Sequence, residues 1–219
     1  MSYYAHVRIW EPLQRSSRAT RYEIPLASAL ISHGLGEISG SSTVMNSEME
    51  IEYIDVELIL TDTERSLEIV KNVLEDAGIA AGSEIHFTRN NRPEVMHIGR
   101  NEGLAIYLDG IGLTDETYDT CSCDGLAFLI SKALSSVDGE IRGSWVGRLE
   151  TCIYIYGPNA ETMFSTIFPI LETYPLCQNA RIVIRHGNPR LNPRTVRLPF
   201  QKDVVKQRQV FWGNGQGTG

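Results

Sequence analysis

The feature that most limits what this chain can fold into is that it repeats. Residues 36–41 read GEISGS and residues 139–144 read GEIRGS, an offset of 103. Upstream at the same offset, Ala27, Leu30, Ile31 and Gly34 fall on Ile130, Ala133, Leu134 and Val137. Those positions are spaced i, i+3, i+4, i+7, as on one face of an α-helix. Downstream, at an offset shortened to 97, IDVELIL (54–60) falls on TCIYIYG (151–157) and SEIHFTR (83–89) on ARIVIRH (180–186). Matching elements that recur in the same order indicate one plan copied.

Each copy reads β-α-β-β-α-β. In the first, 4–10 predicts a strand closed by Glu11-Pro12. The polar, basic stretch 14–21 predicts a surface loop, and a helix follows near Pro25 and stops at Gly34. Segments 36–45 and 49–60 predict a hairpin. Thr61 and Glu64 suit a capping box for a helix with Leu67, Val70, Leu74 and Ala77 on its apolar face, and 83–89 is the fourth strand. The second copy predicts a strand at 103–109, a loop at 110–119, a helix at 122–136, a hairpin at 140–156 and a strand at 180–186. Its second helix opens at Pro158 and buries Phe164, Ile167, Phe168 and Leu171, and Pro169 predicts a kink or early end. This order is that of the ferredoxin-like plait, a four-stranded antiparallel sheet with both helices on one face. The expectation is an α+β chain of two tandem βαββαβ ferredoxin-like modules, 1–90 and 102–187, with a linker at 91–101 and a C-terminal tail at 188–219. The GNGQGTG end is expected to be disordered, and Val210, Phe211 and Trp212 to dock on the body. Tandem plaits can join sheet edges or pack open face to open face.

Within that frame, 49–60 (MEIEYIDVELIL) alternates apolar and polar residues but slips once. Met49, Ile51 and Tyr53 are apolar at odd positions, whereas Ile54, Val56, Leu58 and Leu60 are apolar at even ones. A β-bulge between Tyr53 and Ile54 would put both sets on one face, and Glu48, Glu50, Glu52, Asp55 and Glu57 on the other. No Lys or Arg stands between Arg21 and Arg65. Such a stripe can serve simply to keep an open strand face soluble and unpaired, but mixed signs would meet that need, and the single sign keeps a basic partner as the functional reading. In the second copy, Cys152, Tyr154 and Tyr156 align with Asp55, Glu57 and Ile59, and Trp145 lies on the preceding strand. Open-sheet aromatics stack bases in RNA-recognition motifs, but RLETCIYIY lacks the corresponding signature. An interface between the copies is the simpler reading of Trp145, Tyr154 and Tyr156, and a ligand held between the modules is the alternative.

The remaining signals narrow the function class. A formal net charge of −7 disfavours phosphate backbones, so no nucleic-acid partner is expected. Cys121, Cys123, Cys152 and Cys177 have no paired CxxC spacing and read as reduced thiols. With no apolar leader and no apolar run of membrane length, no membrane contact is expected and the cytoplasm is the default. No nucleotide-loop, dinucleotide-binding, nucleophile-elbow or zinc-protease motif is present, so no catalytic residue, metal or cofactor is predicted. The turns GEISGS and GEIRGS open strands, which suits a glycine kink or bulge better than a phosphate cradle. His6 and His86 alternate within strands and read as sheet-face residues. In topology the chain is similar to some CRISPR-associated RNA endonucleases, but it has no basic glycine-rich loop near its C-terminus. The expected function is a non-catalytic binding protein whose acidic sheet face engages a basic protein, in concrete form an immunity-type inhibitor of a toxin. The alternative is a regulatory protein with a small molecule between its modules.

Overall fold

The computed structural model describes residues 2–191 and 193–199. They form two five-stranded antiparallel sheets, each with its helices on one face. The first sheet has the order β2-β3-β1-β4-β5, built from β1 (Tyr3–Ile9), β2 (Gly36–Met45), β3 (Ile51–Leu60), β4 (Ser83–Arg89) and β5 (Arg92–Ile98). The second has the order β10-β9-β6-β8-β7, built from β6 (Glu102–Asp109), β7 (Glu140–Val146), β8 (Glu150–Gly157), β9 (Arg181–Arg185) and β10 (Arg194–Arg197). In both, the first strand pairs with the third and fourth, and the second lies outside the third, which is the plait topology.

Each plait carries a fifth strand beyond the four expected. β5 lies in the predicted linker and β10 in the predicted tail, and each pairs antiparallel with the fourth strand of its module. The turn into β5 is Asn90-Asn91, both at positive φ (52° and 60°), the conformation a two-residue hairpin turn requires and asparagine tolerates. Polar, proline-bearing sequence in 91–101 conceals the strand, yet Ile98 and Met96 reach the first core. Val210, Phe211, Trp212 and the glycine-rich end lie outside the described residues.

The first module's helices are α1 (Arg15–Arg18), a π-helical turn (Ala19–Glu23), α2 (Ile24–His33) and α3 (Thr63–Asp76). The predicted loop at 14–21 is therefore helical. Its polar composition is misleading because Arg18 is buried: the guanidinium donates to Ser41 Oγ and Thr43 Oγ1 on β2 and pairs with Glu23 at 2.7 Å. α2 ends at Gly34 in the left-handed conformation (φ 64°), which glycine adopts without strain. The N-cap of α3 is Asp62, one residue after the Thr61 expected, and it accepts from Arg65 N at 3.1 Å.

In the second module, α4 (Asp115–Thr120) occupies the predicted 110–119 loop, with Thr114 as its cap, and α5 (Cys123–Leu134) is capped by Ser122. α6 (Ala160–Thr173) runs through Pro169 instead of ending there. Its buried stripe of Met163, Phe164, Ile167 and Leu171 holds it to the sheet, which offsets the one backbone bond that proline removes. Each module thus has its own apolar core between sheet and helices, one around Ile54, Leu58 and Leu74, the other around Ile106, Ile155 and Ile167.

The bulge predicted between Tyr53 and Ile54 sits one residue earlier, at Glu52: Val44 pairs with Tyr53 and Met45 with Ile51. Ile51 and Ile54 are both buried, Ile54 in the first core, while Tyr53 turns to the side of Arg8. A second bulge lies at Ser39 on β2, and it recurs at Arg142 on β7, so both GEIxGS turns carry the same irregularity.

Candidate functional site: the uncovered sheet face

Shared register places the two open faces in correspondence. On the first, His6 of β1 pairs with Glu57 of β3 and His86 of β4. On the second, the same positions are Ala105, Tyr154 and Val183. One strand step along, Arg8 and Asp55 correspond to Tyr107 and Cys152.

The second face is closed. Among the described residues the two sheets share no strand pairing. Instead the end of β1 and the β2–β3 turn of the first module lie across it. Tyr154 is 1 % and Tyr156 3 % exposed, packed with Ala80, Tyr107, Cys152 and Val183, and Trp145 borders the cluster. Glu50 Oε1 accepts the hydroxyls of both Tyr107 and Tyr154 at 2.6 Å, and Tyr156 donates to the Trp10 carbonyl at 3.2 Å. Burial first, then the neighbouring Cys152 and Glu50, holds the Tyr154 phenol well above its ordinary range. Beside this layer lies a buried ion pair between the modules. Glu11 Oε1 accepts from Arg142 Nη1 at 2.8 Å, from Tyr22 Oη at 2.6 Å and from Ala80 N at 2.7 Å. Arg142 also donates to the Gly78 carbonyl and pairs with Glu140, which in turn binds Arg21. Burial works against the Arg142 charge, but Glu11, Tyr22 and Glu140 outweigh it.

The five carboxylates predicted as one stripe divide between three environments. Glu48 and Glu50 lie in the turn before β3, where Glu50 is committed to the inter-module tyrosines. Glu52, at the bulge, pairs with Arg190 at 2.8 Å. Only Asp55 and Glu57 stand on the open face, and Asp55 takes a bidentate bond from Arg8 (Nε and Nη2, each 2.9 Å). A stripe needs an unbroken strand, and the chain between Asn46 and Glu50 is a turn held by Asn46 Oδ1 accepting from Glu48 N and Glu50 N.

The first face is open, and its groove of about 840 Å³ is lined by Tyr4, His6, Arg8, Asp55, Glu57 and His86 among others. His6 and His86 stack with ring centroids 4.4 Å apart and planes within 5°. Glu84 holds the stack from one side: its Oε2 is 2.8 Å from His86 Nε2 and its Oε1 3.7 Å from His97 Nδ1. Burial first, and the facing His86 second, lowers the His6 pKa. Glu57 is exposed and forms no hydrogen bond or ion pair among the described residues. Among the described residues, Asp55, Glu57 and Glu84 therefore stand around Arg8, while Arg190, which also lies over the Tyr53 ring, is paired with Glu52. Of the predicted residues only Asp55 and Glu57 thus belong to this face, and the histidine row beside them was visible in sequence only as alternation. A second hollow, of about 950 Å³, lies along α1 and β7, but its Arg21 and Arg142 are already paired.

Among the described residues no group of His, Cys, Asp and Glu has the arrangement to hold a metal ion, and no helix is long and apolar enough to cross a membrane. No protein-family model and no curated protein matches the chain. Similar solved structures include an unknown protein from Galdieria sulphuraria (10 % identity, covering 84 % of this chain and 96 % of that one, TM-score 0.26). Another is the regulatory subunit of aspartate kinase from Thermus thermophilus (15 % identity, 76 % and 92 %, TM-score 0.25). The first two RRM domains of a yeast poly(U)-binding protein also align (8 % identity, 83 % and 98 %, TM-score 0.21).

Proposed function

We propose that this is a non-catalytic binding protein whose uncovered first-module face engages a basic protein. The observation that carries this reading is the asymmetry of two equivalent faces. One is closed by aromatic residues, while the other stays open among the described residues and presents Asp55, Glu57 and Glu84 around Arg8. Charge complementarity of this kind steers encounter and rejects acidic partners more than it raises affinity. A toxin neutralised by coverage of its basic active site is the concrete form of the proposal. A small molecule between the modules has less support, because Tyr154 and Tyr156 are buried and have their hydroxyls engaged.

The test is association with a panel of basic proteins and one acidic control at low ionic strength, wild type beside a Glu37→Lys, Glu57→Lys double variant, Glu37 being the β2 residue opposite Ile59, two positions along β3 from Glu57. Both side chains are exposed, so the variant should keep the wild-type melting temperature. At least one basic protein should bind the wild type at least about tenfold more tightly than the variant, with an advantage that shrinks as salt rises. Equal binding by both chains would remove the face from the interaction.

A further inference from the structure

One arrangement recurs through this protein, and in one place its third member is missing. Arg8, Arg89, Arg142, Arg181, Arg190 and Arg194 each lay a guanidinium over an aromatic ring. Each of the six is also paired with a carboxylate. Arg181 is representative: its Cζ is 3.7 Å from the Tyr107 ring centroid and its Nη2 is 2.7 Å from Glu150 Oε2. Arg190 does the same between modules, 4.9 Å from the Trp10 ring and 2.8 Å from Glu52. The planar fork suits this use, since it can stack on a ring and bond a carboxylate at the same time.

At Glu57 on the uncovered face the ring and the carboxylate are present, and among the described residues no guanidinium is paired with them. Glu57 stands opposite His6 in the β1–β3 register, and His6 is stacked on His86. Tyr4, on the same face two residues before His6, is 75 % exposed and lies diagonal to Glu57. On the far side of Glu57 is Gly40, where a Cβ would come within 3.1 Å of Glu57 Oε2, so the missing side chain leaves the carboxylate approachable. Arg8 does not fill the place, because both of its bonds go to Asp55.

We propose that this face takes an arginine side chain of the basic partner, its guanidinium stacked on the rings of Tyr4 and His6 and paired with Glu57. The inference rests on the proposed function and specifies the chemistry of the partner. A lysine ammonium satisfies the charge but neither stacks nor forms a fork, so the site discriminates between the two cations.

Hexa-arginine and hexa-lysine peptides, equal in charge, are titrated calorimetrically into the full chain near neutral pH and low salt. Hexa-arginine is expected to bind at least about fivefold more tightly, equivalent to roughly 1 kcal/mol. The preference should fall below about twofold in Glu57→Gln and in Tyr4→Ala, with unchanged melting temperatures showing both variants folded. The ring signals of His6 and His86 should move with hexa-arginine and stay near their free positions with hexa-lysine. Equal affinity for the two peptides, or a preference that survives both variants, overturns the arginine inference and leaves the basic-partner reading standing. No binding of either peptide overturns both. Self-association of the chain that Glu57→Gln abolishes would assign the face to a second copy and also overturn the proposal.

Discussion

Two sheet faces built on one backbone plan have opposite fates here, and the difference lies in a handful of side chains. Where the first module has His6, Glu57, His86 and Asp55, the second has Ala105, Tyr154, Val183 and Cys152 at equivalent register positions. The second set is small, aromatic or apolar and can be desolvated once the Tyr154 hydroxyl finds an acceptor, which Glu50 provides, as it does for the neighbouring Tyr107. The first set cannot be desolvated cheaply, because at least Glu57 would lose its water without gaining a partner. A duplicated plait thus closes one face against the other module and leaves its counterpart open among the described residues. The repeated bulge shows the same division: Ser39 remains at the surface, whereas the extra residue of the second copy is Arg142, the cation that enters the inter-module ion pair.

The contrast is broken most severely at that ion pair. Glu11 is fully buried and Arg142 nearly so, and removal of either leaves an uncompensated charge. Glu11→Ala or Arg142→Ala should cost about 3–5 kcal/mol in urea denaturation. The Glu11→Gln, Arg142→Met double variant should regain a large part of that loss, since a neutral pair carries no stranded charge. Additive losses in the double variant would show that the two side chains act independently.

A smaller effect separates two carboxylates that the sequence presents as equals. Glu50→Ala leaves the buried hydroxyls of Tyr107 and Tyr154 without their acceptor and should cost roughly 2–4 kcal/mol. Glu57→Ala, seven residues later, should change stability by no more than about 0.5 kcal/mol, as for an exposed surface site. Similar losses at both positions would mean that the two faces are not distinguished by burial.

That pair also shows what a sequence of this kind makes readable. The duplication, the helices with apolar stripes such as Leu67, Val70 and Leu74, and a kink in GEISGS were all legible, because each is a local pattern with a fixed period or a glycine. Arg18 was not legible as a helix residue: a basic, serine-rich stretch looks solvated until Ser41 and Thr43 are brought beside it from another strand. β5 was hidden in the same way, since its alternation is mostly polar outside Met96 and Ile98. The acidic run was legible as composition but not as geometry. Glu50 and Glu52 find their partners 57 and 138 residues away, and no local rule anticipates such pairs.

The smallest expected effect probes the open face through its histidines. His6 is held below the ordinary imidazole pKa of 6.5, mainly by burial, then by the stacked His86 and by Arg8, with Asp55 and Glu57 pulling the other way. A histidine with a lowered folded pKa binds fewer protons folded than unfolded between the two values. Its contribution to stability is therefore complete above about pH 6.5 and declines as pH falls through the folded pKa. An NMR titration of the His6 ring should give a midpoint below 6.5. In His86→Ala the midpoint should rise, because both the like-charge neighbour and part of the burial are removed. The proposed basic partner should accordingly weaken its hold as His6 gains charge, since protonated His6 opposes the field of Asp55, Glu57 and Glu84. A His6 midpoint at or above 6.5, or one that His86→Ala leaves in place, would mean that the stack does not govern the charge of this face.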